Sequence, residues 1–394
     1  MDRPVYMDNH ATTRVDPRVV EVMIPMMTTE YGNASSRQHE FGWRAEGAVE
    51  LARKRVAALA GAAPEEILFT GGATESVNLA LQGVWRAAGK PGARIVTVAT
   101  EHRAVLDTCD RLRAEGADLV ILPVDGDGRI NLDDFARALI PGTILASVMA
   151  ANNEIGVIAP MTEIGRLCRE RGVLLHSDAT QAAGKIPVDA RAWGADLMSF
   201  SAHKMHGPKG TGALVVRARR AGRPEIRLSP LMDGGGQERG LRPGTLDVPA
   251  IVGFGKAAEL ALAGMEGEAE RVGALRDRLV EGLQSLLPGV RLNGAGAPRI
   301  PQNANLLFPE TDADDLMMRM KDIAVSSGAA CSSSSPAPSH VLRAIGLPER
   351  DARASLRFGL GRFTTADDVE YTITRVAETV AGKTAERRQP LHTH

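Results

Sequence analysis

One cysteine, Cys331, stands in a serine-rich run whose composition cannot build a hydrophobic core. The run is SSGAACSSSSPAPSH, residues 326–340. Serine, glycine and proline interrupt regular structure, so this stretch is predicted to be a loop. Two interpretations follow: a flexible linker with an incidental thiol, or a nucleophilic thiol that must move between two places. Composition alone favours the linker, so the decision depends on the other reactive side chains of the chain.

A lysine and an aspartate indicate which chemistry such a thiol could join. Lys204 lies in SFSAHKMHGPKG between a β-rich run and a Gly/Pro turn, and Asp178 ends the run VLLHSD. Any single lysine is ordinarily a surface residue. Together, however, the two side chains suit pyridoxal phosphate. Its aldehyde forms a Schiff base with a lysine, and its ring nitrogen needs a carboxylate to stay protonated.

A glycine turn is a candidate site for the phosphate group of that cofactor. The segment GGATESVNLAL places Gly71 and Gly72 before a predicted helix, with Thr74 in its first turn. Glycine lets a backbone approach closely and helix N-termini attract anions, so the turn can bind phosphate. Ser201 and His203 are further donors to an anion. Because glycine turns before helices are also common in structural roles, this motif alone does not decide the matter.

Seven short β-rich runs between about residues 65 and 217 must position these side chains. They alternate with helical patterns, and several are apolar on both faces, as strands between two helix layers are. The runs are EEILFT, RIVTVAT, DLVILPVD, TILASVMA, VLLHSDAT, DLMSFSAH and TGALVVR. This alternation predicts an α/β fold with a mostly parallel sheet, whose ligands bind beyond the carboxyl ends of the strands. Polar residues follow four of the runs, at positions 70–74, 101–102, 152–153 and 178.

The pattern changes after residue 255. Apolar residues from Leu260 to Leu286 recur at helical spacing, which predicts a long amphipathic helix. Shorter β-like runs follow, namely NANLLF, IAVSS and SLRFGLG. We therefore expect a large domain over residues 14–255 and a smaller α+β domain over residues 256–394 together with 1–13. The smaller domain carries the Cys331 loop, at about residues 326–340.

Composition excludes several classes of function. The 47 Lys and Arg against 48 Asp and Glu give a net charge of −1, so no footprint for nucleic acid or a membrane surface is expected. The N-terminus lacks an apolar signal segment, and no run reaches the roughly 18 apolar residues of a membrane span. The basic stretch VRARRAGRPEIR, residues 216–227, is predicted to be a solvated loop.

The three cysteines are too few and too scattered for a disulfide framework, and they lack the CxxC spacing of metal sites. A reducing, cytoplasmic location is expected, where a free thiol stays available. Cys109 and Cys168 fall in helical patterns and are predicted to be packed in the interior. No metal of its own is expected for this chain.

The motifs of this chain, taken together and in order, resemble those of the cysteine desulfurases of the iron–sulfur-cluster and nitrogen-fixation type. That group belongs to the class V aminotransferases and to the fold-type I pyridoxal-phosphate enzymes. The resemblance extends from about Tyr6 to Arg362. It rests on DNHATTRVDP, GNASSRQHEFG, GGATES, TEHRAVLDTC, NNEIGV, HSDATQAAGK, SFSAHKMHGPKG, GGGQERGLRPGT and SSGAACSSSS.

The resemblance implies a role for each matching residue. Lys204 would be the Schiff-base lysine, Asp178 would hold the pyridinium nitrogen, and Gln181 would bind the phenolic oxygen of the cofactor. His102 would stack on the ring and move protons. The other cofactor-binding positions would be Gly72, Ala73, Thr74, Asn153, Ser201 and His203, with Thr245 reaching over from the second subunit of a homodimer. Asn33, Asn153 and Arg357 would bind the substrate, Arg357 through a bidentate contact with its carboxylate.

The same resemblance implies the reaction and the partners. L-cysteine would be converted to L-alanine, while its sulfur passes to Cys331 as a persulfide. An iron–sulfur scaffold or another sulfur-acceptor protein would then take the sulfur, and Cys331 would at most touch an iron–sulfur cluster on that partner. A thiol that collects sulfur in a pocket and delivers it outside has to move. A serine-rich loop allows this, which reverses the interpretation of Cys331 as an incidental residue.

Four alternatives stay open on the sequence. Two are an aminotransferase and a kynureninase-like hydrolase of the same fold, and the aminotransferase would need no thiol in the loop, so Cys331 speaks against it. Selenocysteine lyase activity is compatible with every motif, because selenium is the better leaving atom at the same position. A non-catalytic sulfur-relay subunit would not need Lys204, Asp178 and His102, and a colourless purified protein would favour it.

Overall fold

Two helices follow a short N-terminal strand. The computed structural model describes residues 4–89, 91–218, 224–327 and 338–388. The strand is β1 (Val5–Tyr6), and the helices are α1 (Pro17–Thr28) and α2 (Glu40–Ala60). α1 begins where the Asp16 side chain accepts a hydrogen bond from the backbone N of Arg18, 3.0 Å away. α2 ends at Gly61, whose φ of +59° is the left-handed conformation that glycine favours.

A seven-stranded sheet forms the centre of the larger part of the molecule. Its strands are β2 (Ile67–Thr70), β3 (Arg94–Val98), β4 (Asp118–Leu122), β5 (Thr143–Ser147), β6 (Leu174–Asp178), β7 (Leu197–Ser201) and β8 (Gly212–Val216). The order across the sheet is β2-β8-β7-β6-β5-β3-β4. β8 pairs antiparallel with β2 and β7, while the other pairs are parallel, so six strands run in one direction. The predicted α/β fold with a mostly parallel seven-stranded sheet is confirmed, and each predicted run forms one strand.

Helices cover both faces of this sheet. Those between the strands are α3 (Ala73–Ala88), α4 (Arg103–Ala114), α5 (Leu132–Ala138) and α6 (Met161–Arg171). α3 and α4 share one hydrophobic cluster with one face, and α2, α5 and α6 share another with the opposite face. Every residue of β2, β6 and β7 is buried, as a sheet between two helix layers requires.

The predicted packing of two cysteines is confirmed. Cys109 on α4 and Cys168 on α6 are both buried in these clusters and form no disulfide. Burial raises the pKa of Cys109 to about 12, with the charge of Glu101 as a smaller contribution. A thiol with such a pKa stays protonated near neutral pH and is a poor nucleophile.

One long helix connects two hydrophobic clusters. α7 (Val248–Leu286) has 39 residues and begins earlier than the predicted helix. Its first half packs with α1 and α2 against the large sheet, and its second half joins the other cluster. The predicted apolar face is confirmed except at Leu286, which is exposed. By length and composition α7 could cross a membrane, but the buried core helix of a soluble protein has the same features. Half of the most apolar 18-residue stretch of α7 is buried.

A small antiparallel sheet accompanies the second cluster. Its order is β12-β13-β10-β9, and β1 pairs separately with β11. These strands are β9 (Arg291–Leu292), β10 (Asn303–Leu307), β11 (Ile323–Ala324), β12 (Ser326–Ser327) and β13 (Ser355–Gly359). The helices are α8 (Ala313–Arg319), α9 (His340–Ala344), α10 (Glu349–Arg353) and α11 (Ala366–Arg388). The three runs predicted in this part each contain strands, and the N-terminal segment joins them through β1.

One arginine of the basic stretch differs from its prediction. Arg217 follows β8 and is only 8% exposed, so it is not part of a solvated loop. It forms an ion pair of 3.0 Å with Glu66, which is itself buried. The pairing of two buried charges explains the difference, because sequence composition does not show which cation finds a partner. Three further arginines of the stretch, Arg219, Arg220 and Arg223, lie outside the described residues.

Candidate active site

A cavity of about 1190 Å³ lies at the carboxyl ends of strands β2, β3, β5, β6 and β7. This volume can hold a cofactor and an amino acid together. Most of the predicted site residues line it: Gly72, Ala73, Thr74, His102, Asn153, Asp178, Gln181, Ser201, His203, Lys204 and Arg357. Side chains that are far apart in sequence meet here because parallel strands deliver their carboxyl ends to one edge of the sheet.

Lys204 lies in a short 3₁₀ turn, Ala202–Lys204, directly after β7. Its Nζ atom donates hydrogen bonds of 2.5 Å to the backbone oxygens of His10 and Ala11. The N-terminal segment therefore crosses the sheet edge and holds the amine beside the cavity.

Asp178 is the last residue of β6 and is 6% exposed. Its Oδ1 atom accepts a hydrogen bond of 2.9 Å from the backbone N of Thr180, which fixes the carboxylate at the start of the following turn. A buried carboxylate in this position can hold the proton of a ring nitrogen. It stands on the strand next to β7, so Asp178 and Lys204 approach the cavity from neighbouring strands.

Gln181 is held from two sides. Its Nε2 atom donates to the backbone oxygen of His10 at 3.0 Å, and its Oε1 atom lies 3.1 Å from Nδ1 of the His10 ring. Nζ of Lys185 donates to the same Oε1 atom at 3.2 Å. Both His10 and Lys185 are buried, so the amide of Gln181 has a single orientation.

The turn before α3 forms an open pocket for an anion. Gly72 has a φ of +148°, and no atom lies within 4 Å of the position that a Cβ atom would occupy. Ala73 and Thr74 start α3, whose 16 residues give a dipole of useful strength at this end. Ser201 and His203 line the same cavity. Burial lowers the pKa of His203 to about 4, with a smaller contribution from the charge of Lys204, so its ring is neutral near pH 7.

Arg357 occupies the middle of β13 and is 1% exposed. Its Nη1 atom donates to the backbone oxygen of Asn153 at 2.9 Å. Its Nη2 atom donates to Oδ1 of Asp8 at 3.0 Å and to Oγ of Ser326 at 2.7 Å. Among the described residues, Nε of Arg357 and Oδ1 of Asn153 are buried without a hydrogen-bond partner. Both residues line the cavity, where the carboxylate of a small amino acid can accept from Nε and its amino group can donate to Oδ1.

His102 caps the N-terminus of α4. Its Nδ1 atom accepts a hydrogen bond of 3.1 Å from the backbone N of Ala104, so in the neutral ring the proton is on Nε2. Glu101 is buried behind it and accepts a hydrogen bond from the backbone N of Met149 at 2.5 Å. Burial raises the pKa of Glu101 well above its usual value, and the charge of Asp178 adds to the effect.

Two of the predicted residues, Asn33 and Thr245, are not among the described residues that line the cavity. Asn33 is exposed, and its Oδ1 atom accepts from the backbone N of Ser35 at 2.9 Å. Thr245 is exposed in the segment before α7. Cys331 lies outside the described residues, as does most of the predicted loop. On the N-terminal flank of this loop, Oγ of Ser326 accepts a hydrogen bond from Nη2 of Arg357.

The other flank also lies close to the cavity. Nε2 of the His340 ring lies 2.9 Å from the backbone oxygen of Glu101. Ser339 donates a hydrogen bond through Oγ to the buried carboxyl of Glu154, whose pKa is raised to about 7 by burial. One described flank therefore contacts Arg357, which lines the cavity, and the other contacts Glu101 and Glu154, the chain neighbours of the lining residues His102 and Asn153.

Sequence reasoning missed four polar residues beside the site: Asp8, His10, Glu154 and Lys185. Asp8 and His10 belong to the motif DNHATTRVDP, but the resemblance implied no role for either residue. Lys185 follows Gln181 by four residues in an alanine-rich run, and a lysine in such an apolar context signals a buried charge. Glu154 gave no such signal, because its burial results from packing against α9 and β10.

Comparisons with known proteins identify the family of this chain. The family model for aminotransferase class-V matches residues 5–372. A cysteine desulfurase IscS from Anaeromyxobacter dehalogenans (strain 2CP-C) is 53% identical over 380 residues, covering 96% of this chain and 93% of that protein. A mitochondrial cysteine desulfurase from Arthroderma benhamiae is 50% identical over 381 residues, covering 96% of this chain and 75% of that protein.

A solved structure of a NifS-like protein superimposes with a TM-score of 0.88 at 37% sequence identity, covering 96% of this chain and 100% of that chain. Because the family match, the identities and the fold agree over nearly the whole length, the chain belongs to the aminotransferase class-V family and, within it, to the cysteine desulfurases of the IscS and NifS type.

Proposed function

We propose that this cysteine desulfurase holds pyridoxal phosphate in the described cavity and transfers sulfur from L-cysteine to Cys331. The observation that carries the proposal is the meeting of Lys204, Asp178 and the N-terminus of α3 in one cavity, with Arg357 also on its wall. An amine, a buried carboxylate and an anion pocket are the three groups that this cofactor requires.

The residues of the cavity fit the cofactor. Lys204 would bind its aldehyde, Asp178 its ring nitrogen, and Gln181 its phenolic oxygen. The phosphate would meet Gly72, Ala73, Thr74, Ser201 and His203, whose open turn and neutral donors suit an anion. When bound, pyridoxal phosphate supplies an electron sink that makes the Cα–H and Cβ–Sγ bonds of an amino acid breakable.

Arg357 and Asn153 would orient the substrate by its carboxylate. The contacts of Nη1 and Nη2 fix the guanidinium of Arg357 before substrate arrives, and its Nε atom is left to donate to the substrate. A bidentate contact through Nη2 would need Nη2 to release Asp8 or Ser326, which it holds in this structure. Asn33, which does not line the cavity, would have to approach on substrate binding.

Proton transfer is assigned to two side chains. His102 carries its proton on Nε2 when neutral, since Nδ1 accepts from the backbone of α4. The amine of Lys204, once it is free of the cofactor, can take up and return the α-proton of the substrate. Both groups line the same cavity, so a proton need not leave it.

Sulfur transfer requires a thiol that the described residues do not supply, because Cys109 is buried with a raised pKa and Cys168 is buried too. Cys331 is the remaining cysteine. Its thiolate would attack Sγ of the substrate. The new S–S bond forms as the Cβ–Sγ bond breaks, the three-carbon fragment takes up protons and leaves as L-alanine, and Cys331 keeps the persulfide. A scaffold or other acceptor protein would then receive the sulfur.

A homodimer is the proposed working form. Large apolar side chains are exposed on and after α1, including Ile24, Met27, Tyr31 and Trp43. Such a concentration of exposed apolar residues is typical of an interface. Thr245 is exposed as well and could reach the phosphate of a second subunit. A cytoplasmic location, without contact to nucleic acid or membrane, belongs to the same proposal.

Product analysis tests the proposal. The native protein and Cys331→Ala are each incubated with L-cysteine and a reductant, and alanine and sulfide are measured. We expect equal amounts of both products from the native protein and neither from the variant, with Cys109→Ala behaving as native. Equal turnover by the native protein and Cys331→Ala would refute the role of Cys331. A strong preference for selenocysteine in competition would assign the chain to the selenocysteine lyases.

A further inference from the structure

Lys185 is a second lysine beside the proposed site, and the proposed reaction does not use it. It is 6% exposed, and its Nζ atom donates hydrogen bonds of 3.2 Å to the backbone oxygen and to Oε1 of Gln181. Both of these acceptors are neutral. A buried ammonium whose hydrogen-bond acceptors are both neutral costs stability. This cost points to a functional reason for the charge.

The first consequence concerns the amide of Gln181. Two donors, Nζ of Lys185 and Nδ1 of His10, surround Oε1, while Nε2 donates to the backbone oxygen of His10. This pattern assigns the amide oxygen to the side of Lys185 and leaves the second N–H of Gln181 for a ligand. With the opposite orientation, two N–H groups would face the Lys185 ammonium. Lys185 therefore determines that Gln181 is a donor toward the cavity.

The second consequence concerns Lys204. The backbone oxygen of His10 accepts from Nε2 of Gln181 and also from Nζ of Lys204. One connected network thus runs from Lys185 through Gln181 and His10 to Lys204. The two lysines also line a common small cavity of about 10 Å³, which has room for about one water molecule. Little solvent can therefore screen one amine from the other.

Charged and titratable groups surround both lysines, and Asp178 lines the larger cavity together with Lys204. The charged or titratable groups near Lys185 are Lys204, His10, His203, His206, Glu268 and Arg362. Burial keeps the three histidines neutral by lowering their pKa values. Glu268 is the nearby anion, and it already forms an ion pair of 2.7 Å with Arg362.

Burial and, to a lesser extent, the charge of Lys204 together lower the pKa of Lys185 to about 7. Like charges repel, so a protonated Lys185 disfavours a proton on the nitrogen of Lys204. A lysine amine is nucleophilic in its neutral form, which this coupling favours at Lys204.

We propose that Lys185 is a positioning residue of the active site. It orients Gln181 as a donor to the cavity and, in its protonated form, disfavours a proton on the nitrogen of Lys204. The inference rests on the proposed function, in which that nitrogen joins pyridoxal phosphate.

The experiment is a pH titration of the holoenzyme, read by the visible absorbance of the lysine-bound cofactor. Lys185→Gln removes the charge and keeps a donor, whereas Lys185→Met removes both. Lys256→Met is the matched control, because Lys256 lies on α7 and pairs with Glu259. We expect the titration midpoint to rise by about one pH unit in both Lys185 variants and to stay unchanged in the control.

A second readout separates orientation from charge. We expect Lys185→Met to weaken cofactor binding about tenfold, and Lys185→Gln to weaken it less, because glutamine can still donate to Gln181. Midpoints equal to that of the native enzyme in both variants would overturn the inference. Folding of each variant is checked by circular dichroism, and Lys185→Gln alone suffices if the methionine variant does not fold.

The failure of this inference is distinguishable from failure of the proposed function. Borohydride reduction of the native holoenzyme and mass spectrometry show whether the cofactor is attached to Lys204. No attachment would overturn both proposals. Attachment together with an unmoved midpoint would overturn the role of Lys185 and leave the desulfurase proposal intact.

Discussion

The sheet side of the cavity and the β13 side hold their charges by different means. On the sheet side, the amines of Lys204 and Lys185 are held by carbonyl and amide oxygens, which are neutral. On the β13 side, Arg357 is held by the carboxylate of Asp8 in addition to neutral acceptors. A buried amine whose hydrogen-bond acceptors are neutral gives up its proton easily, as the lowered pKa of Lys185 shows, whereas a paired guanidinium keeps its charge. One side is therefore suited to proton chemistry and the other to anchoring a carboxylate.

The different positions of these residues in the two sheets explain this difference. Parallel strands end together, so the sheet side presents residues of turns such as the one containing Lys204. Arg357 instead lies within a strand, opposite Asn305 on β10 and Ser326 on β12. A side chain in the middle of a sheet is restrained by both neighbours, which suits a residue that must not move. Three variants test this contrast between the two sides of the cavity, and a fourth tests a buried thiol outside it.

The largest effect is expected from Lys204→Ala on the sheet side. The variant lacks the amine that joins the cofactor, so turnover of L-cysteine should fall about a thousandfold or more. Alanine production measures it, with Lys256→Ala as the control. Residual turnover above about one percent would mean that another residue performs this role.

On the β13 side, Arg357→Lys keeps the charge and removes the planar fork. We expect kcat/KM to fall about tenfold to a hundredfold, mainly through KM, while the visible absorbance of the cofactor stays the same. Arg350→Lys, an exposed residue of α10, is the control. Loss of the cofactor from Arg357→Lys would show that the two sides are not separate.

A smaller effect is expected on stability when Lys185 is replaced by Met. The folded-state pKa of Lys185 is about 7, below the value of roughly 10.4 in an unfolded chain. The unfolded state therefore binds more protons between these values, and native stability rises with pH across this window. The gain is about 1.4 kcal/mol per pH unit at most, and it is absent in Lys185→Met.

The measurement is thermal unfolding of both proteins at pH 7 and pH 9. The native protein should gain stability relative to the variant at the higher pH. Parallel behaviour of the two proteins would show that Lys185 has an ordinary pKa, and would weaken the contrast between the two sides of the cavity.

The fourth and smallest effect concerns a buried thiol. Cys109→Ala should leave sulfur transfer within about twofold of native and lower the unfolding free energy by about 1 kcal/mol, because it removes one packed atom from the cluster of α3 and α4. Loss of alanine production in this variant would show that Cys109 takes part in sulfur transfer.

The fold was accessible from the sequence because its signals are local. Each strand of the large sheet is an apolar run of its own, and the glycine turns and capping residues mark where helices begin or end. The runs after residue 255 predicted the small sheet in the same way. The start of α7 was missed by several residues, since its first eight residues, VPAIVGFG, include no polar residue and so show no amphipathic period.

The candidate site was accessible in part. Lys204, Asp178 and the turn at Gly72 could be selected by their positions after strands, and the resemblance supplied His102, Gln181, Asn153 and Arg357. The ion pair of Arg217 with Glu66 could not be predicted, and neither could the contact of Arg357 with Asp8. Those pairs join residues that are 151 and 349 positions apart, and no local pattern relates them.

The sequence by itself determined the α/β class, the edge of the sheet at which ligands bind, and the residue types available for chemistry there. Only the tertiary structure decided which charges are compensated. The sequence around Lys185 and Lys204 does not distinguish these lysines from exposed ones. Their protonation depends on burial and on the acceptors that folding brings to each amine, because the free energy of a charge depends on its surroundings in space.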